Sequence, residues 1–209
     1  MYSRHLVPTQ TTLTNTILNN KHILHTRTGF TLAEVLITLV IIGIIAAMTV
    51  PTLMTNTNSQ EYRSGLKKAI STLNQGLKMQ YALNGTLISD FFGGTFTPTI
   101  VRDQVFVQRL NVLQTDNVST TYGAGNTSTA NFYTADGMKF GIAAGPAGST
   151  CDVAGSSPCY TIYIDVNGNK GPNLPTTATT HPNDIYTAAI YAQKVMPYNA
   201  ISQGVMYEQ

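Results

Sequence analysis

The pattern of hydrophobic positions predicts two helical segments in the first half of the chain. Residues 35–50 are uncharged and mostly aliphatic, and a polar stretch follows at residues 52–60. Beyond it, apolar side chains recur at intervals of three or four residues, at Tyr62, Leu66, Ile70, Leu73, Leu77 and Tyr81. This spacing places them on one face of an amphipathic helix. The pair Asn84-Gly85 predicts its end, because glycine readily takes the left-handed conformation beyond a helix C-terminus.

The apolar run is long enough to cross a membrane. Residues 30–51 would form about 33 Å of helix, and the hydrocarbon core of a bilayer is about 30 Å thick. Lys21 and Arg27 precede the run, so the positive-inside rule leaves that end in the cytoplasm. A cleaved secretory signal has a similar pattern. Two features favour a retained anchor: the run is long, and the sequence past Ala46-Ala47 continues into the amphipathic helix.

Glu34 is a charged residue at the edge of this apolar segment. No Lys, Arg or His lies between Glu34 and Arg63, and a carboxylate placed deep in a membrane costs about 2–3 kcal/mol or more. Cleavage between Gly29 and Phe30 would create an α-amino cation one helical turn away, or on a neighbouring copy. Glu34 would then serve assembly. In the alternative interpretation its carboxylate simply reaches the lipid headgroups.

Residues Gly29 to Glu34, followed by the apolar run, resemble the class III signal of type IV pilins and type II secretion pseudopilins. In that family a prepilin peptidase cuts after the glycine on the cytoplasmic face, and the new N-terminal phenylalanine is N-methylated. The resemblance implies cleavage between Gly29 and Phe30, methylation of Phe30, and an assembly role for Glu34. The implied leader, residues 1–29, is longer than most in the family.

The second half of the chain predicts a small antiparallel sheet. Alternating segments predict strands at residues 132–134, 138–142, 159–166, 185–192 and 194–197, the first two joined by a hairpin turn. Residues 101–113 predict a short helix with Val105, Phe106, Leu110 and Leu113 turned inward, and residues 114–131 predict a long exposed loop. A long helix packed on such a sheet is an α+β fold, which is also the type IV pilin plan. The expected segments are a leader (1–29), a transmembrane half-helix (30–51), an amphipathic half-helix (52–85) and a globular head (86–209).

Charge is scarce and unevenly distributed. Charged residues make up 11% of the chain, and the formal net charge is +2. Three of the basic residues precede residue 30, so the remainder holds nine bases and ten acids. This balance gives no bulk attraction to nucleic acid. A DNA-uptake minor pilin would need a basic patch, and the adjacent pair Lys67-Lys68 lies on the predicted helix rather than on the head.

Cys151 and Cys159 are the only cysteines of the sequence. A metal site would need more ligands, and a catalytic thiol would need a histidine. Three of the four histidines lie in the leader, which leaves His181. In an exported domain we expect a disulfide that closes a short loop, with two free thiols as the alternative.

Residues 165–173 contain alternating oxygen-bearing side chains. Asp165, Asn167 and Asn169 partly resemble the start of an EF-hand calcium loop, and Asp184 could approach from downstream. The bidentate Glu of such a loop is missing, and Lys170 argues against a strong cation site. The alternative is a turn in which the side chains bond to local backbone. Some pseudopilins hold calcium in their C-terminal loops, so the resemblance keeps calcium as a candidate ligand.

Together these features predict a structural subunit and not an enzyme. It would be a pilin or pseudopilin of a type IV pilus or type II secretion filament, located in the inner membrane with its head in the periplasm. The expected partners are other subunits, the prepilin peptidase, an inner-membrane assembly platform and membrane lipid, with no nucleic acid. The alternative is a membrane-anchored periplasmic enzyme or binding domain that does not polymerise.

Overall fold

A computed structural model describes residues 29–91, 97–123, 125–145, 151, 157–175 and 183–207. The chain divides into two units between residues 45 and 46. The first helix, α1, is Leu32–Asn84 and includes Pro51. It ends where the sequence predicts, because Gly85 has φ +66° and its N–H donates to the carbonyl of Tyr81 at 2.9 Å.

A six-stranded antiparallel sheet dominates the second unit. Its strand order is β1-β4-β5-β6-β7-β8, and β2 and β3 form a separate two-stranded sheet. The strands are β1 Val112–Asp116, β2 Thr120–Thr121, β3 Thr127–Ser128, β4 Ala130–Thr134, β5 Lys139–Ala144, β6 Tyr160–Asp165, β7 Ile185–Ile190 and β8 Val195–Pro197. The predicted α+β layout, a long N-terminal helix with an antiparallel sheet, is confirmed, as are the predicted hairpin and the last three strands.

Short helical segments complete the described chain. A 3₁₀ turn covers Ile88–Phe91, helix α2 covers Pro98–Val101, and a π-helical stretch covers Arg102–Val107. A C-terminal helix, α3, covers Ala200–Tyr207.

The main core lies between the apolar stripe of α1 and one face of the sheet. The stripe supplies Leu66 and Leu73, which are fully buried. Phe132 and Phe140 are paired across β4 and β5 and stack with ring centroids 4.8 Å apart. Tyr81 departs from the predicted stripe: it is 57% exposed, and Gln80 is buried in its place.

Asn74 ties α1 to the edge strand β8 through its side-chain amide. The Nδ2 atom donates to the carbonyl of Val195 at 3.0 Å, and the Oδ1 atom accepts from the N–H of Val195 at 2.9 Å. Both polar atoms of one side chain therefore satisfy both backbone groups of an edge residue. This pairing fixes the register between the helix and the sheet.

The opposite face of the sheet carries a smaller buried cluster. Tyr122, from the loop after β2, lies 2% exposed against Tyr163 of β6, with ring centroids 5.2 Å apart. Its hydroxyl donates to Oδ1 of Asn131 at 3.0 Å. A Cβ at Gly141 would come within 2.5 Å of the Tyr122 ring, so the ring occupies the space that glycine leaves.

Two predictions for residues 101–131 were wrong. The helical stretch ends at Val107, and Leu113 lies in β1 with 71% of its surface exposed, although Val105 and Phe106 are buried as expected. The predicted exposed loop contains the last three residues of β1, all of β2 and β3, and the start of β4. The polar composition of residues 114–131 does not indicate these strands. Tyr122 and Asn131 are buried by long-range contacts, which a local sequence pattern does not show.

Candidate functional site

The junction expected to be cut lies just ahead of α1. Gly29 and Phe30 precede the first helical residue, Leu32, and Phe30 is 88% exposed. Residues 1–28 of the predicted leader lie outside the described residues. A peptidase binds the backbone of its substrate in an extended conformation, and an exposed, non-helical peptide bond can adopt that conformation.

Glu34 and Thr31 form a capping box at the start of α1. The carboxylate Oε2 accepts from the N–H of Thr31 at 2.8 Å and from its hydroxyl at 2.9 Å. The N–H of Glu34 donates to the same hydroxyl oxygen at 3.2 Å. This reciprocal arrangement satisfies backbone donors that the first turn of a helix otherwise leaves open.

The role of Thr31 at the start of the helix was not predicted, although the sequence contains a local signal for it. Thr-x-x-Glu ahead of an apolar run is the pattern of a capping box. The prediction for Glu34 named a cation or the lipid headgroups as the partner of its carboxylate. The structure instead supplies hydrogen-bond donors three residues earlier in the chain. A negative charge there is also stabilised by the partial positive charge of the helix N-terminus.

The segment that follows Glu34 is apolar and exposed. By length and composition, α1 contains a stretch that is able to cross a membrane. The most apolar part of this stretch is not buried within the protein. Aliphatic side chains from Val35 to Val50 expose roughly half of their surface or more, for example Ile42 at 62%. Exposed apolar surface of this extent needs a lipid or protein environment.

Cys151 and Cys159 form the disulfide that the sequence predicts. Both are buried, and the N–H of Cys159 donates to the carbonyl of Ile190 at 2.7 Å. The bond therefore closes its loop beside the start of β6, which follows Cys159 directly. The described part of the chain has no free cysteine, and His181 lies outside the described residues, so the described thiols offer no nucleophile.

The four predicted calcium ligands lie around the turn between β6 and β7. Asp165 ends β6 and Asp184 directly precedes β7, and both are buried. Asp184 accepts the N–H groups of Asn173 and Leu174 at 2.7 and 2.5 Å. Asp165 accepts the N–H of Asn167 at 3.3 Å. The Asp165 bond is the local backbone contact of a turn, whereas the Asp184 bonds join residues eleven and ten positions apart.

The two asparagines of this turn also have protein partners. The Nδ2 atom of Asn167 donates to the carbonyl of Gly171 at 3.1 Å and to the hydroxyl of Tyr62 at 3.3 Å. The Oδ1 atom of Asn169, an exposed residue, accepts from Nζ of Lys139 at 3.5 Å.

Burial and charge repulsion act together on Asp165. Desolvation by burial, with a further contribution from the negative charge of Asp184, raises the pKa of Asp165 to about 7. The backbone N–H groups of Asn167 and Gly168 and the ammonium of Lys139 act in the opposite direction.

The side chains present do not fit a calcium cage. Calcium takes about six to eight oxygen ligands, whereas the carboxylate of Asp184 and the oxygen of Asn169 already accept protein donors. The Oδ1 atom of Asn167 is buried without a hydrogen-bond partner. No group of three or more His, Cys, Asp or Glu that could hold a metal occurs among the residues that the structure describes.

A groove of about 570 Å³ lies beside this turn, lined by α1, the β4–β5 turn and residues 166–171. An ion pair crosses it between Nζ of Lys68 and the carboxylate of Asp136, 2.9 Å apart.

The comparisons with known proteins concern the N-terminal segment. Residues 24–50 match the family model described as the prokaryotic N-terminal methylation motif. This motif is the hallmark of type IV pilins and pseudopilins. No curated protein and no solved structure matches the chain. The motif, the apolar helix and the α+β head together support the type IV pilin-like class, and they fit a membrane-anchored protein.

Proposed function

We propose that this chain is a structural subunit, a pilin or pseudopilin, of a type IV pilus or type II secretion filament. A prepilin peptidase cuts between Gly29 and Phe30, Phe30 is N-methylated, and the subunit polymerises through its N-terminal helix. Before assembly it lies in the inner membrane with its head in the periplasm, where an assembly platform receives it. The role of the chain is mechanical, and the covalent chemistry is performed by other enzymes.

The observation that carries this proposal is the position of Glu34 at the start of an exposed apolar helix. The carboxylate lies in the first turn, held by Thr31, and the methylation motif covers both residues. After cleavage, the α-amino group of Phe30 would be the nearest cation, whether on the same chain or on a neighbouring one. Methylation leaves that amine positively charged, so an ion pair with Glu34 survives the modification.

Lateral association would contribute two favourable interactions. It would pack the apolar side chains of residues 35–50 against those of other copies in place of lipid, through close van der Waals contact. It would also pair the carboxylate of Glu34 with an amine in a medium of low dielectric constant, where opposite charges attract strongly. The packing contribution requires a second copy, whereas the amine can lie on the same chain or on a neighbouring one.

The test substitutes Glu34 and uses a second exposed acid of α1 as the matched control. With the peptidase present, Glu34→Ala is expected to be cut but to be lost from sheared filaments, while Glu61→Ala assembles like the wild type. Intact-mass analysis of the wild-type chain should show an N-terminus at Phe30 with one added methyl group. The readouts are the amount of subunit in the filament fraction and the mass.

Two results would contradict the proposal. One is wild-type incorporation of Glu34→Ala. The other is a chain that keeps its first 29 residues in cells with an active peptidase, because assembly requires the new amine. A cut chain that never enters filaments, with Glu34→Ala indistinguishable from the wild type, would indicate the anchored periplasmic domain instead.

A further inference from the structure

The β6–β7 turn concentrates negative charge without a metal-binding set of donors. Asp165 and Asp184 are both buried, with 3% and 0% of their surface exposed, and their charges repel each other. Buried charges of one sign need a compensating positive charge or hydrogen bonds. Backbone N–H groups supply the hydrogen bonds, at Asn167 for Asp165 and at Asn173 and Leu174 for Asp184.

The nearest cation built into the sheet is Lys139, the first residue of β5. It is directly opposite Asp165 in the antiparallel register of β5 and β6. Only 8% of Lys139 is exposed, which is unusual for lysine. Its ammonium attracts the carboxylate of Asp165 and donates to Oδ1 of Asn169 at 3.5 Å.

Two aromatic rings hold the ammonium of Lys139 in this place. Nζ lies 5.7 Å from the ring centroid of Tyr122 and 5.4 Å from that of Tyr133. At such distances a ring face attracts a cation, the more strongly when the cation is shielded from water. An amide oxygen and two π-faces therefore lie around the ammonium of Lys139, and Asp165 lies opposite Lys139 on the neighbouring strand.

We propose that the ammonium of Lys139 is the resident cation of this turn, and that residues 165–174 keep their conformation without a metal ion. In this arrangement Lys139 has the role that a bound divalent cation has in a calcium loop: it neutralises buried carboxylate charge and draws an asparagine oxygen inward. It is a positioning residue. It orders the turn through Asp165 and Asn169, and does not act on a substrate.

The conformation of this turn also affects α1, because the turn contacts the helix directly. The Asn167 side chain bonds the hydroxyl of Tyr62 at 3.3 Å. A Cβ at Gly65 would lie 3.1 Å from that of Val166, so helix and turn approach closely there. An ordered turn therefore supports the face of the helix that it packs against, and its order would be insensitive to chelators.

The test uses the full chain purified in detergent and treated with EDTA. The first measurement is the melting temperature of the head with calcium chloride, against sodium chloride at equal ionic strength. We expect no difference. If calcium raises the melting temperature and Asp165→Asn abolishes that rise, the proposal is overturned. Such a result would show a metal site that uses the carboxylate of Asp165.

The second measurement is hydrogen exchange at the amide of Asn167, which donates to Asp165. Loss of a hydrogen bond and charge partner in Lys139→Met should speed exchange about tenfold, as expected for a charged hydrogen bond. Lys170→Met, in the same turn but exposed, should exchange like the wild type, and Lys139→Arg should retain most of the protection. Wild-type exchange rates in Lys139→Met would overturn the proposal. Should that variant fail to fold, the calcium measurement on the wild type still decides.

Discussion

The sharpest structural prediction concerns Gly141, whose missing side chain makes room for a buried tyrosine. A Cβ added there would lie 2.5 Å from one ring carbon of Tyr122 and 2.7 Å from the next, where ordinary contacts are 3.4–4 Å. The ring would have to move by about 1 Å. It is held on its other side by the stack on Tyr163 and at its tip by Asn131. Gly141→Ala therefore overpacks this cluster, which costs about 1–3 kcal/mol.

The assay is thermal unfolding followed by near-ultraviolet circular dichroism. The chain has no tryptophan and 11 tyrosines, so this signal reports tyrosine packing. For a chain of this size each kcal/mol lowers the melting temperature by about 2–4 °C. Gly43→Ala is the matched control, because a Cβ there meets nothing within 4 Å. It should unfold like the wild type.

A double-mutant cycle decides whether the ring is the cause. In a Tyr122→Ala background the space beside Gly141 is empty, so Gly141→Ala should cost almost nothing further. An equal loss of stability in both backgrounds would refute this explanation, because the strain would then have another origin. A variant as stable as the wild type would refute it as well.

Three further predictions concern the stability of the head. Leu73 is fully buried, so Leu73→Ala should lower the free energy of unfolding by about 2–5 kcal/mol in urea titrations. Leu113 is 71% exposed, so Leu113→Ala should change the same free energy by less than about 0.5 kcal/mol. Reducing the disulfide should lower the same free energy by about 2–3 kcal/mol. Burial raises the pKa of Asp136, but hydrogen bonds from the Thr134 hydroxyl and from Lys68 outweigh it and leave that pKa below its ordinary value. Its stabilisation is therefore complete above about pH 4 and lost as the pH falls through the lowered pKa, and Lys68→Met should weaken this acid dependence in denaturation midpoints measured at successive pH values.

The elements predicted correctly are those whose signal is local. The stripe from Tyr62 to Leu77 repeats with the helical period, and Gly85 marks the end of α1 by its own conformational freedom. β6 and β7 are rich in β-branched and aromatic residues and lie in the middle of the sheet. Each of these features can be read within a window of a few residues.

The elements missed are those whose stability comes from distant residues. β1 consists of Val112–Asp116, is mostly exposed, and pairs only with β4. An edge strand needs no alternating pattern. Tyr122 and Asn131 are buried because a separate hairpin folds over the outer face of the sheet, a contact that polar local composition does not indicate.

The capping box changes how the proposed role of Glu34 is explained. The sequence predicts that the carboxylate pairs with an amine that proteolysis creates, or else reaches the lipid headgroups. In the structure Thr31 already donates two hydrogen bonds to it. Pairing with the amine of Phe30 in a filament must therefore replace those bonds or add to them. The free energy gained per subunit is then the difference between an ion pair and a capping box. Charge-assisted bonds between two ions are the stronger kind, so the exchange still favours assembly, but by less than the roughly 2–3 kcal/mol that an unpaired carboxylate would release. Close packing of the apolar side chains of residues 35–50 against other copies would add to this difference, and Glu34 would determine which copies pair.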